Sequence, residues 1–154
     1  MSPPARSARP QAVLFACGLN SVRSPMAASL FRHYFGRIYV GSAGVRKGEL
    51  DPFAVAAMEE LGLDIAKHRP HTFEELEGWE GLNFDLIVTL APEAHHKALE
   101  LTRTLAAEVE YWPTPDPTVA EGTREQRLEA YRAVRDQLLA CIQARFVRQT
   151  TGNE

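Results

Sequence analysis

Short apolar runs alternate along this chain with stretches of helical periodicity. Ala12-Val13-Leu14-Phe15-Ala16 is long enough for a buried strand and too short for a helix. Met26, Leu30, Phe31 and Tyr34 then recur at helical spacing, behind Ser24 as N-cap and Pro25 in the first turn, and Gly36 closes the run. Ile38-Tyr39-Val40 predicts a second strand ending in the turn Gly41-Ser42-Ala43-Gly44. Asp51-Pro52 caps a helix whose core face is Phe53, Ala56, Ala57 and Leu61, with Gly62 at its end.

The second half repeats the alternation. Thr72-Phe73-Glu74-Glu75-Leu76 predicts a short capped helical turn, and Phe84 to Leu90 a third, buried strand. Pro92-Glu93 opens a helix to about Ala106 or Ala107, with Ala94, Ala98, Leu101 and Leu105 inward. Adjacent His95 and His96 point apart on that helix, so they read as exposed residues and not as a metal pair. Val109 to Trp112 is a short fourth strand, and Pro113-Thr114-Pro115-Asp116-Pro117-Thr118 a stiff loop. Thr123-Arg124-Glu125-Gln126 is a capping box. It starts a long amphipathic helix marked by Leu128, Tyr131, Val134 (or Arg135), Leu138, Leu139, Ile142 and Phe146. Strand-helix alternation throughout predicts an α/β fold: a four-stranded parallel sheet with helices on both faces.

Composition narrows the class. At 154 residues, 45% hydrophobic and 24% charged, the chain fits one ordinary globular domain, expected over residues 12–149. The Pro- and Arg-rich opening, residues 1–11, reads as a disordered tail, and 150–154 as a second tail. A net charge of −3 gives no case for nucleic acid, and no run approaches a membrane span. Two cysteines argue against a disulfide scaffold and for a reducing cytoplasm.

The chemistry gathers after the first strand, in Cys17-Gly18-Leu19-Asn20-Ser21-Val22-Arg23-Ser24-Pro25. A cysteine leaves a strand, and the loop ends at a helix N-terminus whose unpaired amides favour a tetrahedral oxyanion. Amides, helix dipole and guanidinium all favour a thiolate over a thiol there. Arg23 offers a planar fork to the same anion, and Ser24 a hydroxyl for the sulfur. Asn20 tolerates the left-handed backbone that a tight anion loop needs.

Cys-x5-Arg-Ser behind a strand, with Asn20 in the loop and Pro25-Met26-Ala27 after it, resembles the low-molecular-weight protein tyrosine phosphatases. It is equally similar to their relatives, the thioredoxin-coupled arsenate reductases. The resemblance spans about Val13 to Phe146 and implies strand order 2-1-3-4, with the phosphate loop at the switch point after the first strand. It implies Cys17 as nucleophile, Arg23 as anion clamp, and Gly18, Leu19, Asn20, Ser21, Val22 and Ser24 around a bound phosphate, sulfate, arsenate or vanadate. It implies Asp116, before Pro117, as general acid, and Ser42 with a histidine, His68 the candidate, as supports of Asn20. From the residues alone Ser42 is a turn residue, and His68 and His71 pass equally for exposed loop residues. No metal and no cofactor are implied.

Two absences bear on the reaction. The segment from Ser42 to Asp51 and the residues Thr118-Val119 lack the aromatics with which many of the phosphatases hold a phosphotyrosine ring. The resolving cysteines of the reductases are missing as well: Ala91 stands where one is expected, Val22 replaces a second loop cysteine, and Cys141 reads as a packed hydrophobe on the last helix. Missing thiols prohibit an internal disulfide relay, whereas missing aromatics only weaken affinity. The expectation is therefore a cysteine-dependent phosphatase of aryl phosphate monoesters or phosphoproteins. The alternative is an arsenate reductase served by an external thiol, and behind both stands a non-catalytic oxyanion-binding module.

Overall fold

A computed structural model describes residues 10–151, with side chains through Phe146. Most of the tail expected at 1–11, and the last three residues of the tail expected at 150–154, lie outside that range. The strands are β1 (Ala12–Cys17), β2 (Tyr39–Gly44), β3 (Leu86–Thr89) and β4 (Glu108–Tyr111). Around them lie α1 (Arg23–Tyr34), α2 (Pro52–Glu59), α3 (Phe73–Glu80), α4 (Pro92–Leu101) and α5 (Arg124–Thr151).

The sheet is parallel throughout, in the order β2-β1-β3-β4. Central β1 pairs from Ala12↔Tyr39 to Cys17↔Gly44 on one side, and from Val13↔Leu86 to Ala16↔Thr89 on the other. Successive side chains of a strand point to opposite faces. Val13, Phe15 and Cys17 accordingly pack with α1, α2 and α5, while Leu14 and Ala16 pack with α3 and α4. Burial on both faces is why β1 reads as a continuous apolar run.

Several boundaries differ from the sequence expectation, each for a local reason. The helix α1 starts at Arg23 with Val22 as its N-cap and no side-chain cap, because the Ser24 hydroxyl is engaged elsewhere. Tyr34 is 46% exposed rather than inward. Gly41 to Gly44 belong to β2 and not to a turn, since ladder pairing with β1 runs to Gly44. In α2 the inward residues are Ala54, Ala57 and Met58; Leu61 lies beyond the helix end and is 41% exposed. The segment expected as one turn at Thr72 is the full helix α3, opened by a reciprocal Thr72–Glu75 capping box. Helix α4 stops at Leu101, where the Thr102 and Thr104 hydroxyls bond the carbonyls of Leu99 and Leu101 and so compete with the helical pattern.

Along α5 the open choice is settled by both residues. Val134 joins the core, and Arg135 is buried in an ion-paired cluster.

Candidate active site

The loop between β1 and α1 is held from outside. Carbonyls of Cys17, Gly18, Leu19 and Ser21 accept bonds from the amides of Val45, Arg46, Gly48 and Asp51, at 2.9–3.3 Å. The segment after β2 thus saturates the loop's acceptors. Among the described residues the N–H groups of Gly18 to Arg23 have no acceptor. Unsatisfied amides on a loop ending at a helix N-terminus are what an oxyanion completes. Gly44 makes the close crossing possible, because a Cβ there would stand 2.9 Å from Asn20 N and 3.0 Å from Gly18 O.

Asn20 is fully buried and is the one non-glycine residue at positive φ among the described residues, at 56°. Its side chain offsets that cost. Nδ2 donates to Ser24 Oγ at 2.8 Å and to Ser42 Oγ at 3.0 Å, and Oδ1 accepts from the His71 amide at 3.0 Å. The His68 Nε2 meets the Asn20 carbonyl at 3.0 Å. Burial holds His68 below the ordinary histidine range despite that bond, and His71 and Arg32 add to the lowering. His68 is therefore a neutral donor to the loop near neutral pH. The structure brings Ser42 and His68 to Asn20, and His71 too.

Cys17 is 2% exposed, with its Sγ 3.0 Å from Ser24 Oγ. Since that oxygen already accepts from Asn20, its proton is free for the sulfur, which as a thiolate can only accept. Arg23 crosses to the other wall, where its Nη1 donates to the Thr114 carbonyl at 2.9 Å. Thr114 lies in the loop after β4, and two residues on Asp116 accepts from the Thr118 amide at 3.0 Å and its hydroxyl at 2.7 Å. Cys17, Arg23 and Asp116 line one pocket of about 150 Å³, together with Arg46, Glu93 and Thr118.

From the sequence, Arg46 reads as part of a solvated basic turn rather than as charge beside the entrance, Thr118 only as a missing aromatic, His71 as a loop residue, and Glu93 only as the start of a helix. The structure puts Arg46, Thr118 and Glu93 on the pocket and His71 on Asn20. Glu93 carried a usable signal, standing at the start of a helix that follows a parallel strand, on the edge where α/β sites collect. His95 is half-buried, not exposed: its Nδ1 lies 3.0 Å from Thr89 Oγ1 and its ring stacks on Tyr111. No group of metal-binding side chains occurs among the described residues.

A parallel sheet with a cysteine at the end of its central strand and a loop of free amides beside it defines an α/β class with its candidate site at the carboxyl edge of the sheet. The model of the low molecular weight phosphotyrosine protein phosphatase family matches residues 12–145, and the chain belongs to that family. A similar relative is named arsenate reductase, from Shouchella clausii, 38% identical over 132 residues, or 84% of this chain and 91% of that protein. Among solved structures, an arsenate reductase in the phosphate binding state superposes with TM-score 0.67 at 27% identity, covering 90% of this chain and 98% of that one. The Erwinia amylovora tyrosine phosphatase amsI gives TM-score 0.72 over 91% and 93%; its 18% identity speaks for the fold alone. The relatives' names agree better with the reductase alternative than with the leading expectation.

Proposed function

We propose that the chain is a cysteine-dependent phosphatase of aryl phosphate monoesters, phosphotyrosine among them. The observation that carries it is the isolation of Cys17. The other cysteine, Cys141, sits on α5 ten residues past Tyr131, about 15 Å farther along the helix from the pocket end. Position 91 is a buried alanine. Arsenate reduction needs two electrons and a second thiol; phosphate ester hydrolysis needs one sulfur, one clamp and one acid.

In this reading the Cys17 thiolate attacks phosphorus as the P–O bond to the leaving group breaks. Arg23 and the loop amides hold the equatorial oxygens where charge spreads. Asp116, aimed by Thr118, protonates the departing oxygen. Water then attacks the cysteinyl-phosphate with Asp116 as base, and the Ser24 hydroxyl receives the departing thiolate. No step calls on a metal or cofactor. A working thiol implies a reducing compartment, the cytoplasm. Among the described residues no helix is long and apolar enough to cross a membrane.

The second reading rests on the 38% identical arsenate reductase. Cys17 would displace water from arsenate, and an external thiol would attack the sulfur of the arseno-cysteine. Arsenite then leaves and a mixed disulfide remains for a second external thiol to reduce. Assaying p-nitrophenyl phosphate, a phosphotyrosyl peptide, and arsenate with glutathione or thioredoxin side by side decides the matter. Ester hydrolysis abolished by Cys17→Ser is expected; arsenate turnover without ester hydrolysis would reverse the ranking.

A further inference from the structure

A cleft of about 460 Å³ adjoins the anion pocket and shares Thr118 with it. One wall is Leu50, Pro52 and Phe53 at the start of α2, and the other is Arg124, Arg127 and Tyr131 on the first turns of α5. Tyr131 stacks on Phe53 with ring centroids 5.2 Å apart. The guanidinium carbons of Arg124 and Arg127 lie 5.3 and 4.7 Å from the centroid of that same Phe53 ring.

Neither guanidinium has a carboxylate partner among the described residues. Farther along the same helix, Arg132, Arg135 and Arg145 are all ion-paired. A cation–π contact fixes where a guanidinium stands and leaves its N–H fork unused. Two such forks beside the mouth of a phosphate-sized pocket form an anion receptor on the leaving-group side.

Two carboxylates share the lining, and among the described residues neither is ion-paired with Arg124 or Arg127. Asp51 is committed, its Oδ1 accepting from the Phe53 amide at 2.8 Å and its Oδ2 from the Tyr131 hydroxyl at 2.6 Å. It also caps α2, whose dipole favours its charge. Glu49 is exposed and opposes an incoming anion, which gives the test a variant of opposite sign.

We propose that this cleft docks acidic side chains flanking the phosphorylated residue of a peptide substrate, with Arg124 and Arg127 as receptors and Leu50 and Phe53 as apolar floor. The inference deepens the phosphatase reading and rests on it. An extended peptide advances roughly 3.3 Å per residue, so residues a few positions from the phosphate reach past Thr118 into the cleft. A lone inorganic anion in the pocket does not.

The test uses two phosphotyrosyl peptides of equal length, one with glutamates and one with glutamines around the phosphotyrosine. The wild-type enzyme should turn over the acidic peptide with kcat/KM roughly three- to tenfold higher, a preference that shrinks as salt is raised. Arg124→Gln/Arg127→Gln should erase the preference while p-nitrophenyl phosphate turnover stays within about twofold, and Glu49→Gln should widen it. Equal turnover of the two peptides, or a preference that survives in the double variant, overturns the subsite. If the wild type cleaves no phosphate ester, the phosphatase reading falls by itself. The subsite is then decided by polarisation binding of the same labelled peptides to the Cys17→Ser protein with and without the two arginines. An acidic preference that needs the arginines sustains it, and its absence refutes it.

Discussion

Arg46 and Glu93 form an ion pair on the wall of the Cys17 pocket, with Arg46 Nη2 2.8 and 3.0 Å from the two carboxylate oxygens. A carboxylate is unfavourable beside a pocket proposed to take a phosphate dianion, and Glu93 comes so close to Gly18 that any Cβ there would collide with it. Arg46 neutralises that charge. Removing it by Arg46→Ala should raise KM for p-nitrophenyl phosphate roughly two- to fivefold with kcat nearly unchanged, since both partners are substantially exposed and screened. Adding Glu93→Gln should restore KM. A kcat loss that Glu93→Gln does not repair would assign Arg46 a direct part in the reaction.

Asp116 and Thr118 make a second testable pair. A general acid matters most when the departing oxygen is strongly basic. Asp116→Ala should therefore slow phenyl phosphate by roughly a hundredfold or more and p-nitrophenyl phosphate by much less. Thr118→Val removes the 2.7 Å hydroxyl bond but keeps the amide bond, so the same leaving-group trend should appear in weaker form. Equal slowing across a series of leaving groups, measured as kcat, would point to binding and not proton transfer.

His68 gives the stability a pH dependence whose sign follows from its environment. Burial lowers its folded-state pKa below the ordinary histidine value of about 6.5, so the unfolded chain takes up a proton more readily than the native one. Its contribution is intact above about pH 6.5 and is lost as pH falls below it. Thermal midpoints should drop between pH 7.5 and 5.5, and the gap should narrow in His68→Gln, which keeps an N–H for the Asn20 carbonyl. An unchanged gap in the variant would trace the dependence to other groups.

The sheet was legible because each strand is a short apolar run set between helical periods, and parallel α/β topology leaves few ways to connect them. Loop residues Cys17, Asn20 and Arg23 were legible because each needs a particular chemistry or backbone at a fixed spacing. Tertiary competition hid the rest. Ser24 reads both as an N-cap and as a hydroxyl for the sulfur, and the structure keeps only the second, because Cys17 and Asn20 hold that hydroxyl and leave no cap. The Gly41-Ser42-Ala43-Gly44 segment looks like a turn until a neighbouring strand pairs with it. The Arg46–Glu93 pair joins residues 47 positions apart, and no local pattern announces it.

Arg135 ties α5 to the end of α2. Its Nη1 donates to the Ala57 carbonyl at 2.7 Å and to Glu60 Oε1 at 2.9 Å, with the side chain only 9% exposed. The carbonyl bond meets an acceptor near the end of α2, where a cation also complements the helix dipole. Glu60 bonds Arg132 as well, and the two guanidiniums pull its carboxyl down to about 2. The cluster therefore persists above the usual carboxylate pKa and loosens only as pH falls toward 2. Arg135→Met keeps the buried stem but leaves the Ala57 carbonyl without that donor. The expected loss is about 1.5–3 kcal/mol, read as a lower urea midpoint with unchanged slope. Arg132→Met should cost less, because Arg132 bonds no backbone carbonyl and two of its three partners, Glu125 and Glu129, are well exposed. Equal losses in the two variants would locate the stabilisation in the shared Glu60 charge and not in the buried carbonyl bond.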